Sequence, residues 1–209
     1  SFSANAGNPL LISIEDLIAD GVDMTAKPPG KTVSIAKDLQ AVKEVKFAAL
    51  AQAAKAFRSN AKLAAAYDAF CAEQADWLED YALFMALKDS HPKKTWNQWP
   101  PTLAKRDPSA LDHARAKMGE AVDFYKFVQF AFFRQWGVLR DYAHQRGIRI
   151  VGDIPFYVAF DSVDVWANPS NFELIPETME PKLMAGVPPD YFSATGQLWG
   201  NPVYNWKHL

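Results

Sequence analysis

Residues 186–206, GVPPDYFSATGQLWGNPVYNW, combine large aromatic side chains with residues that interrupt regular structure. The stretch contains three prolines and three glycines, so neither an α-helix nor a central β-strand is expected to run through it. It nevertheless carries five large aromatic residues: Tyr191, Phe192, Trp199, Tyr204 and Trp206. Because such a backbone cannot hide all of these rings in regular structure, the stretch predicts an aromatic surface with a specific role.

Composition leaves two interpretations of this aromatic surface open. In the first, the rings pack against the rest of the fold or form a subunit interface. In the second, they bind sugars, because a pyranose ring has apolar C–H faces that lie flat on aromatic side chains and a rim that needs polar partners. Ser193, Gln197 and Asn201 supply polar groups between the rings, and ligand sites generally combine apolar walls with a few placed polar groups.

The overall composition is that of a globular protein with a sizeable core. The 209 residues suggest one domain or two, and 49% of them are hydrophobic while 22% are charged. The net charge of −2 gives no electrostatic reason to expect a nucleic acid or a membrane as partner. No apolar run approaches the roughly 20 residues that cross a bilayer, and we find no signal peptide, so a cytoplasmic location is expected.

The chain has one cysteine and four histidines, which limits its chemistry. A single cysteine excludes an internal disulfide, and we interpret Cys71 as a small apolar filler on a helix. The histidines are scattered without metal-ligand spacing, so no metal site is predicted. A phosphate-binding glycine loop and a Ser/His/Asp arrangement are also missing from the sequence, and we expect no cofactor.

A helical pattern occupies the chain from about residue 34 to residue 146. Apolar residues between 41 and 57 recur on one face of a helix. Ser59 is placed to cap a second helix, and a longer amphipathic helix covers about 109–145. The longer helix is apolar on two sides, which is typical of a helix sandwiched between layers.

The periodicity changes after Gly147, which is a natural helix stop. Ile148-Arg-Ile-Val151 is a short β-branched run, which predicts a buried strand in a parallel sheet, and Asp153 follows its carboxyl end. Ligands bind at that end of parallel α/β sheets. The alternative is that Asp153 caps a turn or accepts hydrogen bonds from neighbouring amides.

Two shorter segments complete the pattern. Residues 10–14, LLISI, predict a strand or strand end that turns into a brief helix closed by Gly21. Asp161 and Asp164 are three residues apart, and we interpret them as solvated acids in the first turn of a helix.

Four segments resemble the 4-α-glucanotransferase (amylomaltase) family. They are SFSANAGNPL at 1–10, GDIPFYVA at 152–159, DSVDVW at 161–166 and AGVPPDYFSATGQLWGNP at 185–202. The last match is eighteen residues long and highly specific, and the four matches together extend over the whole chain. The chain is therefore similar to this family from end to end.

The resemblance implies an α/β fold, namely an incomplete (β/α)₈ TIM barrel with a large helical insertion. A closed barrel takes roughly 250 residues before insertions, and about 96 residues outside the insertion suffice for about three of its eight units. We expect a barrel segment at 1–33, a mostly helical subdomain with a barrel helix at 34–146, and a barrel strand with the aromatic loop at 147–209. The chain is thus expected to be an N-terminal and central fragment.

The resemblance also implies an activity, the transfer of α-1,4-glucan segments between maltooligosaccharides by a retaining double displacement. An Asp attacks the sugar and a Glu acts as acid and base, and the two carboxyls stand about 5–5.5 Å apart in retaining enzymes. The family's motifs for those carboxylates do not occur in this sequence, so no catalytic residue is assigned and the chain alone is expected to be inactive. The residues expected to bind glucan are Asp153, Tyr191, Phe192, Ser193, Gln197 and Trp199.

Within this implied site, the roles of the loop residues differ. Tyr191 and Phe192 resemble platforms for the acceptor sugar on a mobile lid that excludes water. Gln197 and Trp199 resemble the wall beside the bond that is cleaved. The rival interpretation is a non-catalytic α-glucan-binding or helical interaction protein. Glucan chain length and oligomeric state stay open.

Overall fold

The computed structural model describes residues 2–24 and 39–209. In that part of the chain the α-helices are α1 Ile14–Ala19, α2 Leu39–Ala56, α3 Ala61–Glu73, α4 Ala75–Ser90, α5 Pro101–Ala104, α6 Pro108–Lys117, α7 Gly119–Gln145 and α8 Val163–Ala167. The strands are β1 Met184–Val187 and β2 Gln197–Pro202. The expected boundary between residues 33 and 34 lies outside the described residues.

The chain divides into two compact units, each built from separate stretches of sequence. We call Gly7–Glu79 with Asp123–Val151 the helical unit. We call Ser1–Ala6, Asp80–Val122 and Gly152–Leu209 the hairpin unit. The three expected segments, 1–33, 34–146 and 147–209, follow the chain in order, and their boundaries stay a prediction.

Aromatic residues at helical spacing form the core of the helical unit. Phe57 stacks on Phe127 with ring centroids 4.7 Å apart and lies 5.0 Å from the ring of Tyr67. Tyr67 meets Phe130 edge-on at 5.7 Å. These four rings are buried, and fully burying one aliphatic or phenylalanine side chain contributes about 1.5–3 kcal/mol. The helices predicted over 41–57 and beyond residue 59 are confirmed as α2 and α3.

Helix ends confirm one predicted cap and correct another. The hydroxyl of Ser59 donates to the carbonyl of Ala56, whereas Asn60 Oδ1 accepts from the backbone N–H groups of Lys62 and Leu63. Asn60 is therefore the cap of α3, and the Ser59 prediction is wrong by one residue, because either side chain can accept these bonds. Gly147, at φ +72°, ends α7 as predicted.

The long helix predicted over 109–145 is in fact two helices. α6 ends at Lys117 and α7 begins at Gly119, a residue that weakens a helix interior. The predicted burial on two sides also holds only in part. Phe127 and Val128 are buried, but Val138, Leu139 and Tyr142 are exposed among the described residues.

The strands predicted at 148–151 and 10–14 do not form. Residues 148–155 have no regular structure, and Val151 is 92% exposed. A strand needs a hydrogen-bonded neighbour, and the described residues place none beside this segment. Residues Pro9–Leu11 form a 3₁₀ turn that leads into α1, so only the helix of that prediction is confirmed, with Gly21 after it at φ +89°.

Tryptophan and phenylalanine fill the core of the hairpin unit. Phe84 lies 5.3 Å from Trp99 and 5.7 Å from Trp166, measured between ring centroids. The indole N–H of Trp166 donates to the carbonyl of Leu103 at 3.0 Å, and that of Trp96 donates to the carbonyl of Phe160 at 2.8 Å. These bonds satisfy polar groups that burial would otherwise leave unpaired.

The sheet of the described chain is a single antiparallel hairpin. β1 pairs with β2 in the register Gly186 with Leu198 and Val187 with Gln197. The predicted parallel sheet is therefore not present in this part of the chain.

None of the helices in the described residues has the length and apolar character that a membrane span requires.

Candidate functional site

The aromatic stretch 186–206 includes the end of β1, the tip at 188–196 and the whole of β2, so it forms most of the β1–β2 hairpin in the hairpin unit. Prolines and glycines exclude a central strand, but a two-stranded ribbon has only edge strands, so β2 can include Gly200 and Pro202. Two glycines are needed for close approach. A Cβ on Gly186 would lie 2.6 Å from the carbonyl oxygen of Gln197, and a Cβ on Gly196 would lie 2.6 Å from that of Val187. Only glycine brings these strands together.

Side-chain hydrogen bonds fix the tip of the hairpin. Asp190 Oδ1 accepts from the backbone N–H groups of Phe192 and Ser193, both at 2.8 Å. The hydroxyl of Ser193 donates to the carbonyl of Gly196 at 2.7 Å. Ser193 is a predicted sugar contact, but its hydroxyl proton is engaged within the loop, so its oxygen remains available only as an acceptor.

Tyr191 and Phe192 extend into solvent from this fixed turn. Tyr191 is fully exposed and Phe192 is 93% exposed. Rings of this size are normally buried, and adjacent exposed aromatic side chains are typical of a binding surface. Their exposure confirms that the loop does not hide these rings within the described fold.

Trp199 differs from the tip residues because it has aromatic neighbours. Its ring is 44% exposed and meets the ring of Tyr157 edge-on at 5.9 Å. Its indole N–H donates to Gln197 Oε1 at 3.0 Å. This bond holds the amide of Gln197 beside the indole ring and leaves the amide N–H groups as possible donors to a ligand.

A hydrogen bond ties β2 to the segment that carries Tyr157. The amide of Asn201 donates to the carbonyl of Val158 at 2.7 Å. Next to this tie lies a cavity of about 170 Å³, whose lining includes Tyr157, Asn201 and Asp164. Sequence reasoning did not single out Tyr157, and it named Asn201 only as a polar group between the rings, because their structural roles depend on a contact between distant parts of the chain.

The two acids predicted as solvated helix-start residues have partners instead. Asp161 lies outside α8 and pairs with Lys88, with Nζ and Oδ2 2.6 Å apart. Asp164 lies in the first turn of α8, where Oδ2 accepts from the backbone N–H of Ala4 at 3.0 Å. Burial raises the pKa of Asp164, and that hydrogen bond opposes the shift. Both carboxylates therefore anchor chain segments of the hairpin unit.

Asp153 is exposed, and its Oδ1 accepts from the backbone N–H of Ile154 at 2.8 Å. This is the local amide bond that the alternative interpretation expected. Within the described residues Asp153 has no hydrogen bond to the hairpin, whereas Gln197 and Trp199 are joined by one. Its role in sugar binding stays a prediction.

Comparison with known proteins decides the family. A family model described as 4-alpha-glucanotransferase matches residues 1–209. The chain belongs to the 4-alpha-glucanotransferase family. The resemblance inferred from the loop and its neighbouring segments is thereby confirmed, and the family is one of transferases.

The sequence similarity to relatives extends over the whole chain. A 4-alpha-glucanotransferase from Synechocystis sp. is 49% identical, and one from Thermus thermophilus is 46% identical, each over 100% of this chain. The fold matches that of an amylomaltase from Streptococcus agalactiae, solved in complex with acarbose, with a TM-score of 0.90 and 36% identity over the full chain. The chain spans 42% of the length of each of these three proteins.

Proposed function

We propose that this chain is the glucan-binding part of a 4-α-glucanotransferase that transfers α-1,4-glucan segments between maltooligosaccharides. Family membership and the sequence identity to named glucanotransferases support the activity. The share of 42% supports a longer polypeptide, in which the nucleophile and the acid/base residue lie outside these 209 residues. A retaining double displacement then uses two carboxylates supplied by that remaining part.

The proposed sugar site consists of Tyr191, Phe192, Ser193, Gln197 and Trp199 on the hairpin, with Asp153 contributing from its own segment. The observation that carries this proposal is the exposure of Tyr191 and Phe192 on a turn fixed by Asp190. A flat ring held in water is suited to the apolar face of a glucose unit. A loop that closes over the bound sugars would exclude water and so favour a sugar as the acceptor.

We also propose that residues 148–151 become a strand of a (β/α)₈ barrel in the longer polypeptide. Three of its four residues, Ile148, Ile150 and Val151, are β-branched and apolar, yet all three are exposed in the described chain. A run of apolar residues is typical of a parallel strand that is buried on both faces. In the longer polypeptide this strand would form hydrogen bonds with other barrel strands. Asp153 would then lie near the carboxyl end of that strand, where barrel enzymes bind substrate.

A segment exchange tests the proposed activity. The 209 residues replace the matching segment of the Synechocystis relative, and disproportionation of maltotriose is measured for the chimera and for the chain alone. We expect an active chimera and an inactive chain. Activity of the chain alone would contradict the assignment of the carboxylates, whereas a folded but inactive chimera would favour the non-catalytic glucan-binding alternative.

A further inference from the structure

A row of aromatic rings leads from the core of the hairpin unit to Trp199. Phe172 is buried, and Tyr204 stacks on it with ring centroids 5.1 Å apart and an interplanar angle of 29°. Tyr157 lies nearly parallel to Tyr204, at 6.4 Å and 11°. Trp199 then meets Tyr157 edge-on at 5.9 Å and 76°. Each ring is therefore in contact range of the next.

The backbone on both sides of this row is also fixed. Phe172 and Tyr204 are paired in an antiparallel bridge, and the N–H of Glu173 donates to the carbonyl of Val203 at 2.9 Å. On the other side, the Asn201–Val158 bond joins β2 to the residue that follows Tyr157. These bonds hold in place the backbone of the segments that carry Tyr157 and Trp199.

In the part of the chain that the structure describes, the tip rings have no comparable support. Tyr191 and Phe192 lie on the same hairpin but are almost completely exposed, while Trp199 keeps 44% of its surface exposed. Ordering a side chain when a ligand binds costs conformational entropy, and a ring held in place beforehand avoids that cost. The two parts of the hairpin therefore start from different degrees of order.

We propose that Tyr157 is a positioning residue, which holds the indole of Trp199 in its glucan-binding orientation before the sugar arrives. This inference rests on the proposed function for its effect on affinity, but the orientation itself is a property of the chain without sugar. Tyr157 acts through its ring rather than its hydroxyl, because the contacts with Trp199 and Tyr204 are ring contacts. Phenylalanine should therefore replace it, and leucine should not.

The test has one readout without sugar and one with it. The indole N–H resonance of Trp199, assigned with a Trp199→Phe variant, is recorded for the wild type and for Tyr157→Phe and Tyr157→Leu. Since the Tyr157 ring lies beside the indole, Tyr157→Leu should shift this resonance and Tyr157→Phe should leave it nearly unchanged. An unchanged resonance in Tyr157→Leu would overturn the positioning role, whether or not the chain binds glucan.

The second readout is maltoheptaose affinity, measured by isothermal titration on the same variants. We expect about tenfold weaker binding for Tyr157→Leu and rescue to within about twofold in Tyr157→Phe. Trp206→Ala is the matched control, since this exposed ring contacts Tyr204 rather than Trp199 and should leave the affinity unchanged. Equal affinity of the leucine variant and the wild type would overturn the inference alone, whereas a wild type that binds no maltoheptaose would contradict the proposed function.

Discussion

The helical unit and the hairpin use the same residue types for opposite purposes. Phe57, Tyr67 and Phe127 sit on helices or helical turns, where their spacing turns them towards one another, and they are buried. Tyr191 and Phe192 sit on a turn fixed by Asp190, and they face solvent. The backbone that carries an aromatic residue, more than the residue itself, therefore decides whether the ring stabilises the fold or remains available to a ligand.

The largest effect is expected from truncating a core ring. Phe57→Ala removes a ring that is 3% exposed, and cavities of this kind cost about 3–5 kcal/mol in the free energy of unfolding. Phe192→Ala is the matched change on the hairpin and should cost less than about 0.5 kcal/mol. Urea denaturation measures both variants, and similar losses of stability would show that the Phe57 and Phe192 rings contribute equally to the fold.

A smaller effect is expected from forcing a side chain into the hairpin. Gly196→Ala places a Cβ at φ +75° and 2.6 Å from a carbonyl oxygen, which should cost about 1–3 kcal/mol. Gly152→Ala is the control, since its φ is ordinary and its Cβ would meet nothing within 4 Å. Thermal unfolding followed by near-UV circular dichroism compares the two, and a Gly196→Ala variant as stable as the control would show that the hairpin does not need the close approach.

A still smaller, pH-dependent effect is expected from an ion pair of the helical unit. Both carboxylate oxygens of Asp20 accept from Arg134 at 2.7 Å, and this hydrogen bonding lowers the pKa of Asp20 below its ordinary value of 3.8. Because the unfolded chain then takes up the proton first, the stabilisation is fully present above pH 3.8 and is lost as the pH falls through the lower folded pKa.

Asp20→Asn should therefore lose about 1 kcal/mol at pH 7 and show a flatter decline in stability below pH 4 than the wild type. Asp141→Asn is the control, because Asp141 and Arg140 are both more than half exposed and 3.7 Å apart, so its effect should be close to zero. Unfolding by urea from pH 7 to pH 3 measures both. Parallel curves for Asp20→Asn and the wild type would contradict the assigned pKa direction.

Local sequence rules predicted the helices and the exposed loop, because both depend on short-range spacing. The period of apolar residues gave α2 and α3, and the glycines and prolines excluded a central strand from the loop. Ser59 was mistaken for the cap that Asn60 provides, since the two adjacent side chains offer the same acceptor. The hairpin itself escaped prediction because an edge strand tolerates Gly200 and Pro202.

Long-range contacts could not be predicted from the sequence. The strand expected at 148–151 depends on neighbours that the described residues do not contain, so periodicity alone gave the wrong state. The contact between Trp199 and Tyr157 likewise cannot be inferred from neighbouring residues in the sequence. The hydrogen bond that joins their segments, from Asn201 to Val158, connects residues 43 positions apart. The candidate loop residues were found from composition and resemblance, whereas their different degrees of order required the fold.

Whether the exposed rings bind glucan is measured by isothermal titration of maltoheptaose into the chain and into a Tyr191→Ala/Phe192→Ala/Trp199→Ala variant. Leu198→Ala serves as control, because Leu198 lies on β2 and is more exposed than Trp199 but has no flat ring. We predict that the wild type and the control bind alike, and that the triple variant loses binding while its stability stays close to that of the wild type. Equal affinity in all three proteins would contradict a glucan-binding role for the exposed rings.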